Sequence, residues 1–325
     1  MKAIVYKKYG PPDVLQLKEV EKPAPKDNEV MIRVYATTVN RTDCAMLRAK
    51  PFIMRFFTGL FKPNKPILGT DFAGTIEAVG KNVASLKVGE KVFGFDDGGL
   101  SSHAQYMTLS EDNALTTMPN NMTYEQATAS IEGAHYAYNF INKVDIKRGQ
   151  KVLVNGATGA IGSATVQLLK YFGANVTAVC DRKDADLVKS LGANKVIDYT
   201  KEDFTNSSEK YDFVFDTVGK STFKKCKPLL VSGGVYMSSE LGPMVQNPFL
   251  ALITPIFGNR KVKFPLPTNR SRSVRLIKKL SEEEKFRAVI DRTYSLDKIA
   301  EAYRYVEQGQ KIGNVVITVV QNNKT

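Results

Sequence analysis

Along the first 120 residues, short β-branched and aromatic runs alternate with clusters of Pro, Gly, Asn and Asp. The runs Ala3–Tyr6, Leu15–Val20, Glu29–Thr38, Asp71–Val79, Lys91–Phe95 and Ala104–Thr108 read as strands. No helical period separates most of them, which predicts a compact, irregular β-barrel-like domain. One apolar and basic insertion, DCAMLRAKPFIMRFFTGLFKPNKPIL, lies between Thr42 and Leu68. It suits either a helix packed on that domain or a lid over a pocket, since Phe and Met beside a cleft suit an apolar ligand. Thr123-Tyr124-Glu125-Gln126 pairs Thr with Gln three residues on, a capping box that opens helical segments running to Asn142.

From Lys151 the pattern changes to alternation of strand and helix. Val152–Asn155, Val176–Cys180, Val196–Ile197, Phe213–Phe215, Val235–Met237 and Val262–Phe264 are short apolar runs with helical stretches between them. Six such strands with intervening helices predict a doubly wound parallel sheet. Beyond it, Val274–Leu280 and Ile299–Gln308 have an amphipathic helical period, and Arg287–Ile290 and Asn314–Val320 read as strands. These last strands break the alternation, so they are expected to return to the sheet of the first domain. The domains are accordingly set at 1–121, 122–283 and a return segment 284–325.

The stretch Lys151–Asp181 carries the most specific chemistry. Its first strand ends in Gly156-Ala157-Thr158-Gly159-Ala160-Ile161-Gly162. A helix with Ile161, Leu168, Leu169 and Phe172 on one face follows, and Gly173 stops it. Ala157-x-Gly159-x-x-Gly162 matches the dinucleotide fingerprint with Ala for the first Gly. A bare Gly159 lets a pyrophosphate approach the backbone, and Gly162 lets helix and strand pack closely. Thr158, Gly159, Ala160, Ile161 and Gly162 are thus the expected phosphate cradle; a packing turn alone would use fewer of these features in order.

Composition changes this picture little. Of the 325 residues, 43% are hydrophobic and 24% charged, as in an ordinary globular protein with room for two cores. No run reaches membrane-spanning length, and the N-terminus lacks an apolar signal core, so a cytoplasmic location is expected. Cys44, Cys180 and Cys226 lie too far apart for a disulfide frame or zinc ribbon. The formal charge of +13 is spread over the chain, denser only at Arg260–Lys279. With no nucleic-acid module beside it, the charge fits a solvated surface that attracts anionic cofactors, and no specific nucleic-acid partner is expected.

Seven segments together resemble one family: Thr38-Val39-Asn40-Arg41-Thr42-Asp43, Leu68–Gly74, Lys87–Gly94, the Ala157–Gly162 turn, Val196–Tyr199, Phe215-Asp216-Thr217-Val218-Gly219, and Lys311–Val316. In this order and spacing the chain resembles the medium-chain dehydrogenase/reductase superfamily along nearly its whole length, and most of all its zinc-lacking quinone-oxidoreductase branch. The resemblance implies an α/β protein, a GroES-like β-rich catalytic domain with a Rossmann domain and an active site in the cleft between them. It places Asn40, Thr70 and His135 where zinc-dependent relatives hold their catalytic metal. Asn and Thr are poor zinc ligands, so no metal is expected. His103 and His135, the two histidines, are read as structural, with an acid–base role for His135 as the alternative.

At the end of the second strand, Asp181 argues for the ribose hydroxyls of NAD, while Arg182, Lys183 and the resemblance-assigned Tyr199 argue for the 2′-phosphate of NADP. NADP(H) is favoured and NAD(H) stays open. Without a metal, the electrophile must spread the added charge itself, as quinones and α,β-unsaturated carbonyls do. The expected partner is a small apolar electrophile, and relatives suggest a homodimer. Asn40 would orient cofactor or substrate and Asp43 brace its loop, unless the two only stabilise a turn. Thr128 and Tyr136 are weaker cleft candidates. Thr217, Val218 and Gly219 would line the nicotinamide side, and Gly313 and Asn314 would add backbone contacts. A zinc-free alcohol or ketone dehydrogenase, and a nucleotide-binding docking protein with little turnover, are the alternatives.

Overall fold

The structure, a computed structural model, describes residues 1–98 and 101–320. Two compact units divide the chain: Met1–Glu132 with Arg270–Thr325, and Gly133–Asn269. The sequence reading set its divisions at 121/122 and 283/284.

In chain order the first unit opens with β1 (Lys2–Val5), β2 (Gln16–Glu19) and β3 (Glu29–Val39). Helices α1 (Arg41–Arg48) and α2 (Arg55–Thr58) follow, then β4 (Asp71–Val79), β5 (Lys91–Phe95), β6 (Tyr106–Ser110), β7 (Leu115–Thr117) and α3 (Tyr124–Ala129). The capping box at α3 forms as expected: Gln126 N–H donates to Thr123 Oγ1 at 3.2 Å, and Thr123 N–H to Gln126 Oε1 at 2.9 Å. Helix α4 (Glu132–Asn142) begins on the last residue of this segment.

The second unit is a six-stranded, wholly parallel sheet of β8 (Lys151–Asn155), β9 (Asn175–Cys180), β10 (Lys195–Asp198), β11 (Tyr211–Asp216), β12 (Leu230–Ser238) and β13 (Lys261–Val262). Its helices are α5 (Ala160–Tyr171), α6 (Ala185–Leu191), α7 (Phe223–Cys226) and α8 (Gln246–Phe257). The spatial order β10-β9-β8-β11-β12-β13 reverses between β8 and β11, the switch point of a Rossmann sheet. Val152, Leu153 and Val154 are all fully buried, because helices on both faces of a parallel sheet leave no polar side for them to show. Gly173, at φ 80°, closes the turn after α5.

The chain then returns to the first unit through α9 (Arg270–Glu282), β14 (Ile290–Ser295), α10 (Ile299–Glu307) and β15 (Asn314–Thr318). β15 pairs antiparallel with β3, Val315 opposite Val39, so the return expected from the sequence is real. The strand expected at 287–290 instead starts at Ile290; its sequence IDRTYS is half-exposed at the sheet edge and too polar for an apolar-run criterion. The unit's core joins Ile32, Val34, Phe72, Val92, Tyr303 and Ile317.

The insertion after Thr42 takes the packed-helix character in its first part. Asp43, Cys44, Met46 and Leu47 of α1 are buried, which makes that helix part of the domain. Phe52, Phe56 and Phe61 beyond it are exposed.

Candidate active site

In the second unit the sequence builds a bare helix N-terminus at the switch point. Gly159 is the N-cap of α5 in extended backbone, and it has no side chain to satisfy the helix. The first helical bond runs from Ser163 N–H to Gly159 O at 2.8 Å. Helix geometry therefore leaves the N–H groups of Ala160, Ile161 and Gly162 without an intrahelical acceptor. A Cβ on Gly159 would meet nothing nearer than Gly156 O at 3.6 Å, so the space in front of these donors is open. Gly162 has the opposite role. A Cβ there would overlap Gly156 O and lie 2.8 Å from its carbonyl carbon and 2.9 Å from Ala157 Cα, so the turn and helix touch through it. Gly156, at φ 81°, needs to be glycine for the turn itself. Thr158 is half-buried beside them. A dinucleotide pyrophosphate fits this arrangement: donors without an intrahelical acceptor, a helix dipole and open space in front of them.

The neighbouring strand ends supply the rest. The register pairs Asp198 with Cys180, and Tyr199 N–H donates to Cys180 O at 3.2 Å, so Tyr199 stands next to Asp181–Lys183. Arg182, Lys183 and Tyr199 are all exposed, Tyr199 by 59%. Asp181 is turned to its own loop: Oδ1 accepts Lys183 N–H at 3.2 Å and Oδ2 lies 3.6 Å from Lys183 Nζ. Across the switch point, Thr217 Oγ1 donates to Asn155 O at 2.8 Å. The 217–219 turn is held from beneath by Asp216, which the sequence reading quoted without giving it a role. Its carboxylate accepts Gly219 N–H at 3.0 Å, Ser221 N–H at 2.9 Å and Asn155 Nδ2 at 2.9 Å.

In the first unit Asn40 sits in a buried acidic cluster. Its Nδ2 donates toward Thr38 Oγ1 at 2.8 Å, Asp71 Oδ2 at 3.0 Å and Glu132 Oε2 at 2.6 Å. Glu132 also accepts from Thr42 Oγ1 and Thr70 Oγ1, each at 2.6 Å. Asp43 Oδ2 accepts Asn40 N–H at 2.8 Å, the brace expected of it. Burial raises the pKa of Asp43, Asp71 and Glu132 alike, and the Glu132 charge raises the two aspartates further. Asp71 Oδ1 is buried with no partner, which also disfavours its charged form. Burial likewise pushes the Lys311 ammonium down to about 8, against the pull of Glu132.

Raised carboxyl pKa values fix the sign of a pH effect. The folded state holds protons that the unfolded chain releases near the ordinary carboxylate range, so the cluster's contribution to stability is complete below that range. It is lost as pH rises through the folded-state values. Asp71→Asn should therefore gain in thermal midpoint relative to the parent as pH climbs from about 5 to about 8. A parallel pair of melting profiles would count against a raised carboxyl pKa at Asp71.

Glu132, Asp71, Thr38 and Lys311 were not singled out from the sequence as site residues. A signal existed for Glu132: it is the only charged residue between Glu125 and Lys143, and a lone charge in an apolar run needs buried partners. The resemblance grouped His135 with Asn40 and Thr70. In the structure the third member of that group is Glu132, whereas Asn139 Nδ2 lies 3.4 Å from His135 Nε2 on the same helix. His103 is structural: it lies just ahead of β6, its Nε2 is 2.8 Å from Thr38 O, and burial holds its pKa down at about 4. Thr128 Oγ1 is buried with no partner, and Tyr136 is half-buried with its ring 5.5 Å from that of His135. Gly313, at φ 67°, packs against Val289, and Asn314 N–H and Nδ2 both donate to Val289 O, at 2.8 and 3.0 Å.

Known proteins with this pattern agree with it. Residues 26–138 match the alcohol dehydrogenase GroES-like domain, and residues 191–317 match a family described as zinc-binding dehydrogenase. A 2-methylene-furan-3-one reductase of Solanum lycopersicum is 32% identical over 98% of this chain and 79% of its own length. An NADPH-dependent alkenal/one oxidoreductase of Arabidopsis thaliana is 30% identical over the same shares. The solved quinone oxidoreductase of Coxiella burnetii superposes with a TM-score of 0.87 at 26% identity, covering 98% of this chain and 99% of that one. With its Rossmann sheet, its GroES-like unit and these relatives, the chain belongs to the medium-chain dehydrogenase/reductase superfamily, in the quinone-oxidoreductase-like branch, and is an oxidoreductase.

Proposed function

We propose that the protein is a zinc-independent, NADPH-dependent reductase of quinones or α,β-unsaturated carbonyls. The observation that carries this is the open, glycine-faced N-terminus of α5 at the switch point. NADPH, when bound, supplies the hydride. The backbone donors of Ala160, Ile161 and Gly162 would hold its pyrophosphate, and Thr217, Val218 and Gly219 would border the nicotinamide end. The names of the relatives support a conjugated acceptor, whose π-system takes up the added charge.

The donor set of the acidic cluster supports chemistry without zinc. Asn40 presents amide hydrogens to carboxylates, and Thr70 presents a hydroxyl hydrogen to Glu132. Among the described residues, the partners of these two side chains are hydroxyls and carboxylates, and Cys44 Sγ, buried in the same unit, has its pKa pushed up by desolvation. These residues do not fit a catalytic zinc ion. The zinc in one matching family's description concerns residues 191–317, which include neither Asn40 nor Thr70. Asn40 and the Asp43 brace instead form a rigid polar floor that would position the acceptor or the nicotinamide.

The exposed Arg182, Lys183 and Tyr199 favour the 2′-phosphate, and Asp181, turned to its own Lys183, opposes it weakly. Arg182→Ala with Lys183→Ala should weaken NADPH about tenfold to hundredfold and leave NADH within about twofold. Titration followed by nicotinamide fluorescence checks this. Equal losses for the two nucleotides would remove the phosphate assignment.

A further inference from the structure

We propose that the α8 face of the second unit docks the protein onto an anionic lipid surface. Helix α8 is apolar almost all round, a pattern that normally means burial on every side. Only one side is covered: Leu250 and Ala251 pack on the core cluster of Val214, Tyr236 and Val262. The other side presents Phe249, Leu252 and Ile256 at helical spacing, 62%, 73% and 73% exposed, with Phe257 at 84% beside them. Met244, 98% exposed, leads into the helix. An apolar row of this kind on the surface of a folded unit marks a contact with something apolar.

Charge says what that something is. From Leu241 to Asn269, the remainder of the second unit, the chain holds three Lys and Arg residues and no Asp or Glu. All three, Arg260, Lys261 and Lys263, follow α8 directly. Arg260 Nε donates to Leu230 O at 2.8 Å and Lys263 Nζ to Lys143 O at 2.6 Å. These acceptors are neutral carbonyls, so the groups are oriented without a carboxylate to offset them. Bulky apolar side chains edged by uncompensated cations match the boundary between acyl chains and anionic headgroups. A second copy of the chain matches it less well. A two-fold contact centred on α8 would bring the cations of both copies together. At twelve residues α8 is too short to span a bilayer, and among the described residues no helix is long and apolar enough to do so. It would lie in the plane of the interface.

The test is co-sedimentation of the full chain with vesicles of phosphatidylcholine containing about a quarter phosphatidylglycerol, beside vesicles of phosphatidylcholine alone. Binding to the anionic vesicles should be at least about tenfold stronger, and it should fall about tenfold in the triple variant Leu252→Gln, Ile256→Gln, Phe257→Gln. All three side chains are exposed, so the variant should keep the parent's thermal midpoint. The chain has no Trp, so Leu252→Trp gives a single reporter whose emission should move to shorter wavelength on the anionic vesicles. Absent binding, or binding untouched by the triple variant, overturns the proposal. So does a parent dimer that the triple variant splits while neither protein binds vesicles, a result that would give the face to a second copy.

Discussion

Gly162→Val is expected to unfold the second unit's nucleotide turn and abolish dinucleotide binding. The added Cβ would run into the carbonyl of Gly156 and the Cα of Ala157, both main-chain atoms that no rotamer change can move. Overpacking against backbone costs more than about 3 kcal/mol, enough to lower a domain's thermal midpoint by roughly 6–12 °C. Gly159→Ala, three residues earlier, should behave differently. Its Cβ enters open space, so the fold should lose less than about 1 kcal/mol, the usual range of a cap substitution. That same space is where the pyrophosphate would lie, so NADPH affinity should fall about tenfold to hundredfold. Melting curves with nucleotide titrations separate the two. A Gly159→Ala variant with parental affinity would contradict the assigned cradle.

Glu132→Ala is the second large effect. It removes the acceptor shared by Asn40 Nδ2, Thr42 Oγ1 and Thr70 Oγ1 and leaves a hole where the side chain was. Each buried donor left unpaired costs about 1–3 kcal/mol, while the gain from deleting a carboxyl with a raised pKa offsets part of this. A net loss of about 3 kcal/mol is expected, with Glu132→Gln costing less because it keeps the volume and one acceptor oxygen. Equilibrium unfolding in urea measures both. An alanine variant as stable as the parent would mean that the cluster does not hold the Asn40 loop.

The fold was legible where one physical rule dominates. The β8–β9 segment could be read because a buried parallel strand, a glycine turn and an amphipathic helix each leave an unmistakable local pattern. The return of Asn314–Thr318 to the first sheet followed from a broken alternation. Edge strands were harder: β14 begins on Ile290, the last residue of the apolar run read as a strand, and continues through half-exposed polar residues that carry no apolar signal. The acidic cluster was the least legible part. Asn40 and Asp43 stood in a recognisable motif, but Glu132 is 92 residues from Asn40 and meets it only through the fold. The substitution of Glu132 for His135 as the third partner shows the same limit. Glu132 and His135 are both buried, three residues apart on one side of α4, and spacing alone does not say which of them meets Asn40 and Thr70.

The most direct test of the proposed chemistry is NADPH oxidation with a quinone and with an enone, before and after dialysis against a strong chelator, with metal content measured on the same samples. The account predicts equal rates in both samples and zinc well below one per chain. Activity that disappears with the metal and returns on adding zinc would contradict it.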